Sequence, residues 1–305
     1  MVPFYSEDTC LVLKAKEKGI NVSVLLTIRN VEKYISCCLT SLLNQTFNDF
    51  EIIVVDDVSS DSTREIIEKF SDKRIRYIRN TMWLGLSQSR NECLKHANGD
   101  YVFFTDGDCV VSNNWIEEGL KYLKTSDCIG IEGKTYYVSK EYKPTLSDDV
   151  VENKTGGLFM TCNIAYKKPV LESIGGFDER FTYLEDRDLA LRARKQGKIR
   201  FNPQMIVYHQ KKTLKPRQFV QKGKILRNRV LLYKKYRDKT LFIWRIAFPE
   251  DLLAIIFPLL IFTSLFRNAY RSKDDFALFP FIYVRFIYER LNFWDMCARE
   301  RIFLI

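Results

Sequence analysis

The sequence lacks several patterns that would assign it to a common class of protein. Its eight cysteines include no C-x-x-C pair and no zinc-ligand spacing, which argues against a structural zinc module. Neither a G-x-G-x-x-G loop nor a Walker loop follows the first apolar strand, which argues against dinucleotide-binding and P-loop folds. The N-terminal stretch is broken by charges and has no apolar signal core, so we expect a protein that is not exported and whose cysteines stay reduced.

What is present describes an ordinary folded chain with an uneven charge. The 305 residues are 46% hydrophobic and 28% charged, enough for one large domain or two smaller ones. The net charge is +10, yet residues 189–245 hold 18 lysines and arginines against one acid, Asp238. Such a stretch favours an anionic partner, whether phosphate groups, a membrane or a nucleic acid, and a merely solvated basic face is the alternative.

Apolar strands alternate with amphipathic helices in the first third of the chain. We expect strands at 22–28, 50–57, 74–80 and 100–106, and helices at 32–45, 63–70 and 86–97. Near-continuous apolar strands that alternate with helices predict an α/β domain with a mostly parallel central sheet. In open sheets of this kind, ligands bind beyond the carboxyl ends of the strands.

Polar side chains follow three of these strands. Thr27 and Asn30 end the first strand, Asp57 ends the second, and Asp106 with Asp108 ends the fourth. We therefore expect them to meet along one edge of the sheet. Two carboxylates on a strand-end turn suit Mg²⁺ or Mn²⁺, which bind through one or two carboxylates plus substrate phosphates.

A third acidic cluster opens a later helix. Glu185, Asp186 and Asp188 lie in "YLEDRDLALRARKQG". The helix dipole stabilises carboxylates at an N-terminus, so a capping role stands beside a catalytic one.

Five consecutive segments resemble the inverting glycosyltransferases of family 2, which have the GT-A fold. The segments are "VSVLLTIRN", "LNQTFNDFEIIVVDDVSSDST", "LGLSQSRNECLKHANGDYVFFTDGD", "CNIAYKKPVLESIGGFDERF" and "YLEDRDLALRARKQG". The match runs from about residue 21 to 210. No Q-x-x-R-W motif follows the last segment, so the resemblance is to non-processive members, which transfer one sugar per binding event.

The resemblance implies a role for each matching polar position. The implied donor-binding residues are Thr27, Asn30, Asp57, Arg90 and Asp106. The implied ligands of the Mn²⁺ or Mg²⁺ ion are Asp106, Asp108 and His209. Asp186 matches the general base, and Asn163 and Glu185 match acceptor-side residues. In such a reaction the metal neutralises the leaving diphosphate while the base deprotonates the attacking hydroxyl.

Three positions depart from the family pattern. Thr27 stands where a proline is usual, and Arg29 replaces a frequent aromatic residue. Val58 occupies the usual glycine position of the turn after Asp57.

We expect the chain to divide into an N-terminal extension (1–20), a GT-A catalytic domain (21–212) and a helical C-terminal region (213–305). Residues 216–237 predict a basic amphipathic helix whose apolar stripe would lie on an anionic membrane surface. The uncharged segment 252–266 covers about 22 Å as a helix, short of the roughly 30 Å hydrocarbon core, so it favours an interfacial or re-entrant segment. A subdomain packed on the catalytic domain, or a dimer interface, is the alternative.

Taken together, these patterns predict a metal-dependent inverting glycosyltransferase at the cytoplasmic membrane face. It would use a nucleotide-sugar donor and a lipid-linked or glycan acceptor. A sugar-1-phosphate nucleotidyltransferase is a second possibility, but the first strand is not followed by the glycine-rich basic loop of that class. A nucleic-acid-binding protein using 189–245 is a third, and no recognised nucleic-acid motif supports it, so we expect no nucleic acid partner.

Overall fold

The computed structural model describes residues 21–125, 127–145, 147–236, 242–243, 246–247 and 273–302. The predicted N-terminal extension and the apolar segment 252–266 lie outside these described residues.

Four parallel strands form the first half of the central sheet. They are β1 (Val22–Ile28), β2 (Phe50–Asp56), β3 (Ile75–Arg79) and β4 (Tyr101–Asp106), in the spatial order β3-β2-β1-β4. The strands are apolar on both faces because helices cover both. One face packs on α1 (Ile35–Leu43) and α2 (Thr63–Ile67), and the other packs on α3 (Leu86–His96).

The second half of the sheet mixes strand directions. It adds β5 (Cys109–Val111), β6 (Cys128–Tyr137), β7 (Ile164–Lys167) and β8 (Lys198–His209), in the order β4-β7-β6-β8-β5. The strand β7 is antiparallel to β4 and β6, while β6 and β8 are parallel. The helices of this half are α4 (Trp115–Leu123), α5 (Lys168–Ser173) and α6 (Glu185–Ala193). The predicted α/β fold with a mostly parallel sheet is confirmed.

Strand register brings the polar strand ends together. Thr27 of β1 lies opposite Asp106 of β4, and Ile28 lies opposite Asp56 of β2. The antiparallel pairing of β5 with β8 sets Cys109 opposite His209, which brings the end of β8 beside the turn after β4.

The C-terminal region is helical, as predicted. It contains α7 (Pro216–Gln221), a short 3₁₀ turn (Lys222–Lys224), α8 (Ile225–Tyr236) and α9 (Lys273–Arg299), with two-residue strands β9 (Phe242–Ile243) and β10 (Ile246–Ala247). No helix among the described residues is both long enough and apolar enough to cross a bilayer.

The apolar stripe of 216–237 does not face outward, which corrects the predicted membrane-facing helix. Phe219 of α7 is buried against α9, and Leu226 and Val230 of α8 pack against Phe293 and Cys297 of α9. Burial of apolar area in the protein removes that area from any membrane contact. The alternative, a helical subdomain packed within the protein, describes this part of the chain.

The helix α8 is tied to the segment that leads into α6. The Asn228 side chain accepts a hydrogen bond from the Thr182 backbone N–H at 3.0 Å. The Tyr236 hydroxyl donates to Asp188 Oδ1 at 2.7 Å, and Lys235 Nζ lies 2.6 Å from the same oxygen. Asp188 is fully buried, so these bonds make α8 part of the same folded unit as the acidic helix α6.

We predict that Tyr236→Phe lowers the free energy of unfolding by about 1–3 kcal/mol, because it removes a donor from a buried, charged acceptor. Urea denaturation measures the change. Tyr183→Phe is the matched control: Tyr183 is 38% exposed, and a surface substitution of this kind should change the free energy of unfolding by less than about 0.5 kcal/mol. Equal stability of the two variants would show that the hydrogen bond from Tyr236 to Asp188 does not stabilise the protein.

Candidate active site

A cleft of about 640 Å³ opens at the carboxyl ends of β1, β2 and β4. Among the residues predicted from the sequence, Thr27, Asp57, Arg90, Asp106, Asp108 and His209 all line it. Its volume lies in the range that holds small-molecule ligands and cofactors.

Asp106, Asp108 and His209 form a candidate metal centre on the cleft wall. Their ligand atoms, together with the Cys109 thiol, all lie within 4.8 Å of one another. His209 Nε2 is 3.4 Å from Asp108 Oδ1, and His209 Nδ1 lies 3.1 Å from the Gln210 carbonyl oxygen. Since a carbonyl oxygen only accepts, this contact needs a proton on Nδ1, and a neutral imidazole would then keep a lone pair on Nε2 for a cation.

The donor set fits Mn²⁺ or Mg²⁺ rather than a soft metal. Burial raises the pKa of the Cys109 thiol well above its usual value, so this sulfur stays protonated and is a poor ligand. Two carboxylates and one imidazole remain, which are ligands for hard or borderline cations.

Gly107 lets the turn between the two carboxylates pack against β1. A Cβ at this position would lie 2.8 Å from the Ile28 Cγ2 atom, closer than real contacts allow. The tight D-G-D turn therefore depends on glycine, and it places both acids at the cleft.

Arg90 of α3 joins the metal acids to the acidic helix. Its buried guanidinium hydrogen-bonds Glu185 through Nη1 and lies 3.5 Å from Asp106 Oδ1 through Nη2. Burial raises the pKa of Asp106, Arg90 opposes the increase, and the neighbouring Asp108 adds to it. Glu185, predicted on the acceptor side, is engaged by Arg90 and does not line the cleft.

Asp186 has the titration expected of a general base near neutral pH. Burial raises its pKa to about 7, the charge of Glu185 adds to the increase, and Arg90 opposes it. Its Oδ1 accepts a hydrogen bond from the Arg187 backbone N–H at 2.7 Å. Asp186 is partly buried beside the cleft rather than on its lining, close enough for Asp106 to influence its pKa.

Asp57 lines the cleft but also organises the loop before α3. Its carboxylate accepts hydrogen bonds from the backbone N–H groups of Leu84 and Gly85, both at 2.8 Å, and from Asn80 Nδ2 at 2.9 Å. The next residue, Val58, adopts φ 62°, a left-handed conformation that is costly for a β-branched side chain. The turn that usually holds glycine is thus kept by a strained valine.

Asn30 shapes the neighbouring loop and is not among the residues that line the cleft. Its Oδ1 accepts a hydrogen bond from the Ser60 backbone N–H at 2.8 Å, and its own N–H donates to Ser59 Oγ.

The structure does not bring Asn163 to the cleft. Asn163 is 1% exposed, its Oδ1 accepts from Trp115 Nε1, and its Nδ2 donates to the carbonyl oxygens of Lys134 and Met205. A buried amide with all of its hydrogen bonds made inside the protein has no group left for an acceptor. In this structure Asn163 bridges core elements, and its acceptor-side role stays a prediction.

Four of the cleft-lining residues that sequence reasoning missed are a tryptophan and three cations. Arg29 stacks over the exposed Trp83 ring at 5.7 Å, and the exposed Lys212 and Lys224 approach from the C-terminal side. The two lysines belong to the basic stretch 189–245, which was the available signal, whereas nothing local marks Trp83 as a site residue.

Comparisons with known proteins agree with this geometry. A family model described as "Glycosyl transferase family 2" matches residues 23–175, half of the chain. The Escherichia coli protein UDP-Glc:alpha-D-GlcNAc-diphosphoundecaprenol beta-1,3-glucosyltransferase WfaP is 32% identical over 171 residues, which are 56% of this chain and 68% of that protein.

Two solved structures share the fold. TarS of S. aureus, residues 1–349 in complex with UDP-GlcNAc, has a TM-score of 0.54 and 20% identity, covering 93% of each chain. The mannosyltransferase PcManGT from Pyrobaculum calidifontis, in complex with GDP-Man and Mn²⁺, has a TM-score of 0.58 and 18% identity, covering 90% of this chain and 87% of that one.

The fold similarity and the family match favour the glycosyltransferase prediction over the nucleotidyltransferase and nucleic-acid-binding alternatives. This chain belongs to glycosyltransferase family 2 and is an enzyme with the GT-A fold.

Proposed function

We propose that this glycosyltransferase moves one sugar from a nucleotide-sugar donor to a lipid-linked acceptor, in a metal-dependent and inverting reaction at the cytoplasmic membrane face. The observation that carries the proposal is the grouping of Asp106, Asp108 and His209 at one cleft wall, with Asp186 set apart from them. Asp106 and Asp108 are suited to bind a cation, and Asp186 is suited to accept a proton.

The charge balance of the cleft supports a divalent cation. Asp106, Glu185 and Asp186 lie around one buried cation, the Arg90 guanidinium, and Asp108 adds a fourth acid beside Asp106. The other cations of the cleft wall, Arg29, Lys212 and Lys224, are exposed to solvent. A nucleoside diphosphate would add further negative charge, which these carboxylates would repel. Asp106, Asp108 and His209 would hold the ion, and the ion would stabilise the charge that develops on the leaving diphosphate.

Asp186 is suited to take the acceptor proton. As the acceptor hydroxyl attacks C1 of the donor sugar, its proton would pass to the Asp186 carboxylate while the bond from C1 to the diphosphate oxygen breaks. Attack on the face opposite the leaving group inverts C1. A carboxyl group with a pKa of about 7 is both basic enough and sufficiently ionised for this task.

Support for a lipid-linked acceptor comes from the name of the similar Escherichia coli protein. WfaP is named for a sugar carried on diphosphoundecaprenol, and the present chain covers 68% of that protein. The exposed cations Lys212 and Lys224 on the cleft wall would favour such a phosphate-bearing acceptor. A soluble glycan acceptor without phosphate has no comparable support.

We predict that Asp108→Asn lowers Mn²⁺-dependent affinity for the nucleotide-sugar by roughly tenfold or more, because a neutral amide is a weaker ligand for a hard cation. Calorimetric titration of a nucleotide-sugar with and without Mn²⁺ measures the effect. Asp49→Asn, at an exposed position away from the cleft, is the control and should bind as the wild type does. Full transfer by Asp108→Asn in the presence of EDTA would remove the metal role.

Asp186→Asn should lower kcat by roughly 10²-fold or more while leaving donor affinity within about a factor of two, as loss of a general base predicts. Steady-state transfer kinetics and donor titration separate the two quantities. A variant that keeps its turnover but no longer binds the nucleotide would assign Asp186 to the donor site instead.

We expect kcat/KM to rise as the pH increases through about 7, because Asp186 must be ionised to accept a proton and its pKa is about 7. Below that value, protonation inactivates the base and the rate falls about tenfold per pH unit. The residual kcat/KM of Asp186→Asn should not fall in this way as the pH decreases below 7. A wild-type profile that is flat across pH 7 would contradict the assignment.

A further inference from the structure

The helix α9 presents an apolar face to solvent. Val284, Ile287, Leu291 and Trp294 are 48%, 37%, 56% and 45% exposed, and we call these four residues the α9 stripe. Their spacing of three or four residues sets them on one side of the helix. Exposed apolar residues scattered singly need no explanation, whereas an aligned set marks an interaction surface.

Most charged residues within this part of α9 are paired or buried. Asp295 is exposed beside Trp294, and its carboxylate pairs with Arg227 of α8 and with Arg299. Arg285 forms an ion pair with Glu289 at 2.7 Å, and Arg290 is 1% exposed. The opposite face of α9 already packs on α7 and α8, through Phe293 and Ile282 among others. The stripe is therefore a second apolar face, separate from the one that holds the helix to the protein.

The helices α7 and α8, which pack on the other face of α9, are strongly cationic in sequence. Residues 211–236 contain ten lysines and arginines and no acid, and residues 278–302 contain four arginines and three acids. We call these two ranges the C-terminal module. Lys215, Arg217 and Lys224 are among its exposed cations.

We propose that the α9 stripe docks on an anionic lipid surface. The proposal rests on the proposed function, in which the acceptor is lipid-linked. Apolar insertion and attraction to acidic headgroups would act together, which is the usual requirement for stable peripheral binding.

Charge decides between lipid and a second copy of the chain. A dimer formed through the stripe would bring two cationic modules together, and this repulsion opposes self-association. An anionic bilayer attracts the same module. In addition, the uncharged apolar residues 252–266 precede α9 by six residues in the sequence.

Docking there would also place the cleft beside the membrane. Lys224 belongs to the C-terminal module, follows α7 in the 3₁₀ turn, and lines the cleft. A lipid-bound module would thus present the cleft to acceptors carried in the same bilayer.

Vesicle flotation of the full-length protein tests the proposal. The variant Ile287→Gln/Leu291→Gln/Trp294→Gln should bind vesicles of phosphatidylcholine with phosphatidylglycerol roughly tenfold or more weakly than the wild type, since three apolar anchors are lost. Leu158→Gln is the matched control, because Leu158 is 46% exposed but lies outside the module. Metal-dependent hydrolysis of a nucleotide-sugar should be the same in all three proteins.

Other results would overturn the docking. Undiminished flotation of the triple variant would remove the stripe as the anchor, and equal binding to pure phosphatidylcholine would remove the role of charge. A wild-type dimer that the triple variant converts to monomer, with no flotation of either, would assign the stripe to a second copy. If the triple variant does not hydrolyse donor, Trp294→Gln alone decides by the same flotation readout. Absence of hydrolysis in the wild type would instead contradict the proposed function, whatever the flotation result.

Discussion

The buried guanidinium of Arg90 is the contact on which the arrangement of this site depends. It bonds Glu185 at the start of α6 and reaches Asp106 at the end of β4, so it fixes two acidic clusters from distant parts of the chain relative to each other. Removing carboxylates from water is costly unless they are paired. One guanidinium cannot compensate Asp106, Asp108, Glu185 and Asp186 together. The negative charge that remains is suited to a divalent cation. Burial, with the charge of Glu185 adding to it, raises the pKa of Asp186 to about 7.

The first half of the fold was readable from the sequence because its signals are local. The strands β1, β2 and β4 are apolar runs, and each ends where polar residues begin, so the rule that ligands bind at carboxyl ends located Asp57 and Asp106. The family resemblance supplied His209. Local pattern alone could not supply it, since its approach to Asp108 depends on the pairing of β5 with a strand that ends some hundred residues later in the sequence.

Two side chain placements in the structure differ from what the sequence led us to expect, for the same physical reason. A periodic apolar stripe shows that a face must be covered but not what covers it, and in α8 the cover is α9 rather than a membrane. An asparagine in the sequence can make hydrogen bonds, but the sequence does not show with which partners. The Asn163 side chain bonds Trp115 and two backbone carbonyls. Both outcomes depend on contacts between segments far apart in the chain. The same contacts connect the C-terminal helices to the cleft region, because Asn228 and Tyr236 of α8 hydrogen-bond the segment that carries Asp186.

The most direct test of the account is the position of the metal. Crystals grown with Mn²⁺ and a nucleoside diphosphate, measured at the manganese absorption edge, would locate the ion by its anomalous scattering. We expect one manganese peak bonded to the Asp108 carboxylate and to His209 Nε2, with the diphosphate on its open side. A bound nucleotide with no manganese at these residues, its diphosphate held by Lys212 and Lys224 instead, would contradict the account.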